Sequence, residues 1–405
     1  GVTELVTPGV ALNYDVLEQK KNNYLAAVVE GKKQWGVAFL DISTGDFLVS
    51  EGSLAHLNQL LQKFSPAEVL APKPLKATFS SCFDIGLNPF FQEDWVFQER
   101  FGRDLLQQHF DTASLKGFGL EHYREGIICA GAVLHYLSET QHDKLQHISR
   151  LQKIASDDFV GIDRFTARNL ELLYPANPGG VSLIDVIDFT ATAMGGRLLR
   201  QWVSFPLKSQ EHIEARHRQV QAYLDDTACR EKVAQHLKKM GDIERLMAKI
   251  ATQKVSPREL ILLQQSLEES NHIKNVLANH AAAELSAVAA QLPPCSRIQE
   301  TIAKTLKEDA PVNTAKGNFI ADGFSAELDD LRALLHSGKS HLDAMLERET
   351  EATGIPSLKI AFNNVFGYYI EVRNTHRDKV PENWTRKQTL VNAERYITEE
   401  LKEYE

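Results

Sequence analysis

Cationic and amide side chains are concentrated in one segment near the end of the chain. Between residues 357 and 396 there are seven lysines and arginines but four acidic residues, whereas the 405-residue chain has a net charge of −9. Lysine and arginine bring positive charge to phosphates, and amide groups donate hydrogen bonds to phosphate oxygens. We therefore expect this segment to bind a nucleic-acid backbone without reading bases. The candidate contact residues are Lys359, Arg373, Arg377, Lys379, Arg386, Lys387, Asn392 and Arg395.

Aromatic side chains lie among these cations, and they allow two interpretations. Flat rings can stack on unpaired bases, but a duplex offers no unstacked bases to a protein that surrounds it. We therefore expect most of these rings to form the core of a small β unit. They are Phe362, Tyr368, Tyr369 and Trp384.

Acidic residues in the first part of the chain suggest a second chemistry. Asp41 ends a predicted strand, and converging carboxylates from Asp41, Asp46 and Glu68 could hold the two metal ions of a nuclease. The further acids that such a site requires are not identifiable in later strands, and residues 41–46 also fit a plain hairpin turn. A third interpretation is a protein-interaction module in which residues 357–396 bind a partner protein. We expect no catalytic residue, cofactor or metal ion in this chain.

One short motif resembles part of a nucleotide site. Residues 338–340 read Gly-Lys-Ser, but Ala333 occupies the position where a phosphate-binding loop needs its first glycine. The motif also falls inside a predicted helix, where the backbone cannot cradle a phosphate. The sequence therefore predicts no nucleotide binding at this motif.

Composition indicates a globular protein of roughly two or three domains, with 43% hydrophobic and 24% charged residues. The sequence contains no apolar run of membrane-spanning length. Four scattered cysteines without a CxxC pair favour a reducing cytoplasm. These cysteines are Cys82, Cys129, Cys229 and Cys295.

The elements that would carry these residues differ along the chain. Residues 13–120 alternate strand and helix patterns and predict an α/β unit that begins with a β-meander. The predicted strands span residues 24–29, 35–42, 46–49 and 67–70, and a helix is predicted over residues 53–64.

From residue 121 onward helical periodicity dominates. The predicted helices span residues 126–140, 194–205, 211–225, 228–250, 256–278, 280–291 and 325–353. The last of these has a leucine stripe and is long enough to act as a lever paired with another helix. Strands are then predicted over residues 358–362, 367–372 and 389–397.

These residues resemble the bacterial MutS family of DNA mismatch-repair proteins over essentially the whole chain. The resemblance is most specific at the tip, in residues 362–369 and 388–404. Ala193 departs from the family, which commonly has proline before the Met-Gly pair. Further matching segments are residues 40–47, 163–172, 182–199 and 241–246.

The resemblance implies an α+β multidomain protein. Its parts would be a ribonuclease-H-like connector, a mostly α-helical core with long lever helices, and a small β-sheet clamp at the tip. Both ends of the chain would be cuts in a longer protein. The implied boundaries are residues 1–12 for a linker from a mismatch-binding domain, 13–120 for the connector, 121–337 for the core, 338–397 for the clamp and 398–405 for the start of a returning lever helix.

The resemblance also implies partners. Double-stranded DNA would bind at the clamp, MutL would bind the connector, and the full-length family forms homodimers. ATP and magnesium are expected only for the full-length protein. A cytoplasmic, nucleoid-associated location follows from the same resemblance.

Overall fold

A computed structural model of the protein describes residues 7–11, 17–83, 86–140, 144–154, 158–365 and 367–404. The chain divides into two compact units, which we call the N-terminal unit (to Ile320) and the C-terminal unit (from Ala321). No helix among the described residues is both long and apolar enough to span a membrane.

The N-terminal unit begins with a six-stranded mixed sheet in the order β5-β4-β1-β2-β3-β6. The first three strands pair antiparallel, which confirms the predicted meander, and each of the other three pairs parallel with its neighbour. The strands are β1 (Leu25–Glu30), β2 (Trp35–Asp41), β3 (Asp46–Gly52), β4 (Glu68–Pro72), β5 (Pro89–Gln92) and β6 (Gln152–Lys153).

Helices cover both faces of this sheet, because alternate residues of its central strands are apolar on each side. Leu25 and Leu40 face a core shared with α4, while Val28 and Phe39 face a core shared with α1. The helices of this part are α1 (Leu54–Phe64), α2 (Phe79–Cys82), α3 (Glu99–His109) and α4 (Glu125–Glu139).

Helix α4 packs on the sheet, although the boundaries implied by the resemblance assign it to the helical core. Its buried residues share one core with the sheet. Small residues make this packing close: a Cβ atom added to Gly131 would lie 2.2 Å from the Cα of Gly102 in α3. The sheet and α4 therefore form one packed body.

The remainder of the N-terminal unit is helical. The predicted single helix over residues 228–250 is wrong, because the first helix ends at Leu237. A second begins after Asp242, which accepts a hydrogen bond from the Arg245 backbone N–H. The helices are α5 (Arg164–Asn169), α6 (Leu183–Ile187), α7 (Ala193–Ser204), α8 (Gln210–Asp225), α9 (Thr227–Leu237), α10 (Ile243–Ala251), α11 (Pro257–Ala278), α12 (Ala283–Gln291) and α13 (Ser296–Thr305).

Two buried arginines fix the segment that enters β1. Arg197 of α7 binds Asp242 through two hydrogen bonds of 2.7 and 2.8 Å and also donates to the backbone oxygen of Gln19 at 2.9 Å. Arg245 of α10 donates to the backbone oxygen of Lys21 at 2.8 Å. These contacts give Arg197, Asp242 and Arg245, which lie in two of the family-matching segments, a structural role.

The C-terminal unit consists of a long helix, a four-stranded antiparallel sheet in the order β7-β8-β10-β9, and a short helix. The strand predicted over residues 389–397 is confirmed over residues 393–397, but a turn at residues 390–392 separates it from a preceding strand, ending at Thr389, that the sequence analysis missed. The elements are α14 (Ala326–Thr353), β7 (Lys359–Asn363), β8 (Gly367–Arg373), β9 (Thr385–Thr389), β10 (Ala393–Ile397) and α15 (Glu399–Tyr404).

Helix α14 has a capping residue at each end. Ser325 accepts a hydrogen bond from the Leu328 backbone N–H, and Gly354 ends the helix at a left-handed φ of 63°. The leucine stripe divides into two parts: Met345 is buried against the sheet, whereas Leu335 is 76% exposed. The Gly-Lys-Ser motif lies within this helix, as predicted.

Helix α15 runs antiparallel to α14. Arg348 forms an ion pair with Glu400, and the rings of His341 and Tyr404 stack 5.3 Å apart. Later residues of α15 therefore lie beside earlier residues of α14. The predicted fold class, with an α/β part, a mostly helical part and a small β-sheet, is confirmed.

Candidate nucleic-acid interface

The sheet of the C-terminal unit presents one face to α14 and the other to solvent. Ile370 and Val372 point to the α14 side, where they join the core. Lys359, Glu371 and Arg373 alternate with them and occupy the other face. Because β10 begins opposite Arg373, the turn between β9 and β10 lies at the same end of the sheet.

Three of the predicted cations have neither an acidic partner nor a side-chain hydrogen bond among the described residues, whereas Lys379 also lacks an acidic partner but donates to the backbone oxygen of Gly354. Within the described part of the chain, Lys359, Arg373 and Lys387 are exposed and have no carboxylate oxygen within 4.0 Å. Uncompensated surface cations can neutralise phosphates without first losing an ion pair. These three residues are therefore the strongest phosphate-binding candidates of the original eight.

Two further cations share one buried carboxylate. Glu394, which is 3% exposed, lies 3.2 Å from Arg386 and 3.5 Å from Arg377. The Tyr396 hydroxyl also donates to it, and this bond together with the two arginines holds the pKa of Glu394 below its usual range. Burial and the nearby carboxylate raise the pKa of Tyr396 to about 12. Both arginines remain about half exposed, so they can contact an anion on their outer side.

Arg395 is committed to the sheet itself. Its guanidinium donates to Glu371 at 3.1 Å and to Gln388 at 2.9 Å. It also lies 4.4 Å from the centre of the Tyr369 ring. A phosphate contact would compete with these interactions, so Arg395 is a weaker candidate than the sequence suggested.

Asn374, which the sequence analysis missed, organises the turn that contains Asn392. Its backbone N–H donates to the backbone oxygen of Asn392 at 3.1 Å, and its side chain donates to that of Val391 at 3.0 Å. The Val391 side chain is 92% exposed. An asparagine just after a strand is an ordinary turn signal, so sequence alone gave no reason to single it out. Lys379 lies farther along this connection and donates to the backbone oxygen of Gly354 at 3.4 Å.

The aromatic residues divide between core and surface. Tyr369 and Trp384 are each 6% exposed, whereas Phe362 is 55% exposed and contacts Tyr368 edge to face. The first two rings therefore serve the structure of the β unit, as predicted, and Phe362 does not.

The acids considered for a nuclease site serve local structure. Asp41 is fully buried and accepts hydrogen bonds from the Asn23 backbone N–H at 3.1 Å and the Ser43 hydroxyl at 2.7 Å. Asp46 accepts one from the Tyr24 hydroxyl at 2.6 Å. Burial raises the pKa of Asp46 to about 6. A metal site would instead need carboxylates free to converge on the ion.

Glu68 is similarly occupied. It accepts hydrogen bonds from the Gly9 backbone N–H at 3.2 Å and from the Tyr136 hydroxyl at 2.8 Å. It thereby ties the start of the described chain to α4. These bonds give all three carboxylates a structural explanation.

One group of possible metal ligands occurs in the helical part. Single atoms of Asp226, Cys229 and His280 lie within 4.8 Å of one another. However, Nδ1 of His280 accepts a hydrogen bond from the Ala282 backbone N–H at 3.0 Å, so the ring proton is placed on Nε2, which faces Asp226 at 3.4 Å. A protonated Nε2 has no lone pair for a metal. The group is better explained as an Asp–His contact at the start of α9.

The sequence matches two domains of one family. MutS domain II matches residues 23–149, and MutS domain III matches residues 165–403. Together with the sheet, helical and clamp-like parts described above, these matches show that the chain belongs to the MutS family. The matches include no ATPase domain.

The curated relatives agree over the whole chain. It is 52% identical over 405 residues to the DNA mismatch repair protein MutS of Flavobacterium johnsoniae, 51% to that of Phocaeicola vulgatus and 48% to that of Bacteroides fragilis. The chain covers 47% of each of these proteins, so it spans about half the length of the curated relatives it matches. The family resemblance inferred from the sequence is confirmed.

The domain II match extends well beyond residue 120, the end of the connector implied by the resemblance. Its limit at residue 149 lies beyond α4, which packs on the first sheet. We therefore propose a domain boundary close to residue 150.

Proposed function

We propose that the C-terminal unit holds double-stranded DNA through contacts to phosphates that are independent of base sequence. The observation that carries this proposal is the exposed group of Lys359, Arg373 and Lys387, which has no acidic partner among the described residues of a net acidic chain. Phosphate contacts fix the position of a duplex without distinguishing its sequence. The relatives named as DNA mismatch repair proteins support the choice of ligand.

Salt dependence provides the direct test. Each phosphate contact adds about 0.9 to the slope of log affinity against log salt concentration. The three unpaired cations alone would therefore give a slope of roughly 3 for a short duplex. Fluorescence anisotropy with a labelled duplex at several salt concentrations measures this slope.

Single substitutions assign the contacts. Lys387→Ala and Arg373→Ala should each lower the slope by about 0.9. Arg348→Ala is the matched control, because this half-exposed arginine of the same unit is paired with Glu400 on α15. A flat salt response, or an equal effect of all three substitutions, would refute phosphate binding at the sheet and favour a protein-interaction module.

We further propose that this chain connects DNA contact to activities located in other parts of the longer relatives. The 28-residue helix α14 would be roughly 42 Å long and stiff enough to transmit movement. By family resemblance, α15 would begin the returning lever, MutL would contact the connector, and homodimerisation and the binding of ATP and magnesium would involve the full-length protein. The same resemblance supports our proposal of a cytoplasmic, nucleoid-associated location.

This division of roles predicts what the 405-residue chain does alone. It should hydrolyse no ATP and should bind mismatched and matched duplexes with affinities within about tenfold, because phosphate contacts do not report base pairing. Competition between the two duplexes for the same labelled probe measures the ratio. A larger preference for the mismatch would show that this chain itself reads the lesion.

A further inference from the structure

A cleft of about 390 Å³ opens at the C-terminal end of α1 in the N-terminal unit. The end of α1 and the segment before β1 form one wall, and α7 with residues 173–174 forms the other. Phe64 and Phe205, whose ring centres are 5.2 Å apart, form an apolar surface in it. The volume falls within the range of ordinary small-molecule sites.

Four cations line this cleft, and two of them are already neutralised. Lys21 lies 2.5 Å from Glu18, and Arg197 is bound to Asp242. The remaining two are Lys63 and Arg200. Among the described residues, neither has a carboxylate oxygen within 4.0 Å. The cleft therefore carries two positive charges that are not in ion pairs, with the Asp185 carboxylate near Arg200 but beyond 4.0 Å.

The surroundings of both side chains favour an anion. The Nε atom of Arg200 is shielded from solvent and has no hydrogen-bond acceptor. Because a ligand in the cleft cannot reach that shielded atom, an oxyanion would bind the terminal nitrogens of the Arg200 guanidinium. Lys63 lies 4.6 Å from the centre of the Phe205 ring, and burial lowers the pKa of its amine. A bound negative charge would offset this burial.

We propose that the cleft binds a small organic anion, with its oxyanion group between Lys63 and Arg200 and a flat apolar body against Phe64 and Phe205. The carboxylate of Glu18 is also on the cleft wall, but Lys21 holds it. Lys63 belongs to α1 on the first sheet, whereas Arg200 belongs to the helical part. A ligand that contacts both would therefore strengthen the junction between these two parts.

The oxyanion can be a phosphate or a carboxylate, since arginine binds both through paired hydrogen bonds. Four probes separate the contributions of the anionic group and of the ring to binding: phenyl phosphate, benzoate, inorganic phosphate and phenol. The first two combine an anion with a ring, the third lacks the ring, and the fourth lacks the charge. Isothermal titration calorimetry on the 405-residue chain measures each affinity.

Phenyl phosphate or benzoate should bind more tightly than either inorganic phosphate or phenol. Lys63→Gln and Arg200→Gln should each weaken the better probe by about tenfold or more, the loss typical of one charge-assisted hydrogen bond. Lys63→Arg retains the charge and should preserve binding. Lys76→Gln is the matched control, because Lys76 lies 6.0 Å from the Phe91 ring centre outside the cleft.

Thermal unfolding of each variant identifies any loss that comes from misfolding, and Lys63→Arg distinguishes loss of charge from loss of structure. The proposal is overturned if neither aromatic anion binds, or if phenol binds as tightly as both. It is also overturned if Lys76→Gln weakens binding as much as Lys63→Gln and Arg200→Gln. Because the cleft lies in the N-terminal unit, none of these outcomes bears on DNA binding by the C-terminal unit.

Discussion

Replacing Arg197 with alanine should loosen the segment that enters β1. The guanidinium is 4% exposed and donates to Asp242, to Glu244 and to the backbone oxygen of Gln19. Burial lowers the pKa of Arg197, but its bonds to the two carboxylates outweigh this effect and raise the pKa overall. The arginine is therefore charged at any accessible pH.

The magnitude follows from what alanine would leave behind. Asp242 would keep a largely buried carboxylate, and the Gln19 carbonyl would lose a hydrogen bond. Removing one partner of a buried ion pair typically reduces the free energy of unfolding by about 3–5 kcal/mol. Glu244 is partly exposed, so water can replace its contact with Arg197. We therefore expect a loss of about 3 kcal/mol in the free energy of unfolding.

Hydrogen exchange measured by mass spectrometry is the appropriate assay, because a chain with several domains need not unfold in a single transition. Peptides that cover residues 17–24 should exchange at least about 100-fold faster in Arg197→Ala, as expected for a loss of 3 kcal/mol in local opening. Arg216→Ala is the control, since Arg216 lies 3.7 Å from the Trp202 ring centre and forms a surface cation–π contact. If exchange in this segment is unchanged, or if the control changes it equally, Arg197 does not hold residues 17–24 in place.

Three further predictions concern separate parts of the molecule. The pKa of Asp46 rises from 3.8 to about 6 on folding, so its contribution to stability is greatest below pH 4 and is lost as the pH rises through 6. Asp46→Asn should remove up to about 3 kcal/mol of this pH-dependent decline in the free energy of unfolding. An unchanged pH profile would refute the assignment. Gly131→Ala should lower the free energy of unfolding by at least about 2 kcal/mol, because the added Cβ meets the α3 backbone. The control is Gly117→Ala, whose added Cβ would have nothing within 4 Å. It should be nearly neutral in the same chemical denaturation experiment. Asn374→Ala should weaken duplex binding severalfold without changing the salt slope, since it loosens the β9–β10 turn without removing a cation; a slope lowered as much as in Lys387→Ala would contradict this role.

Local signals predicted much of the fold. The capping residue Ser325, the terminating Gly354 and the alternation in β1 to β3 all act within a few residues, so their effects are visible in sequence. The break at Gly241 was missed because apolar periodicity continues on both sides of it. The division of residues 389–397 was missed because the turn at 390–392 contains Val391, which favours strands.

The candidate interface was predictable in composition but not in detail. Sequence identified the cations but could not show that Arg395 lies on Tyr369 or that Arg377 and Arg386 share Glu394. These relations depend on cross-strand register and chain folding, which bring together residues up to 26 positions apart. The placement of α4 on the first sheet also depends on long-range packing rather than on local pattern.

The contacts that Arg197 and Arg245 make with the segment before β1 predict which positions tolerate substitution. Arg197 and Arg245 bind backbone carbonyl groups of residues 18, 19 and 21, and every amino acid provides such a group. The arginines therefore recognise the path of the chain rather than its side chains. In a saturation scan, substitutions at these three positions should often be silent, whereas those at Arg197, Asp242 and Arg245 should not. Lys20 should be intermediate, because its side chain bonds to Asp188 at 2.8 Å and packs against Gly196.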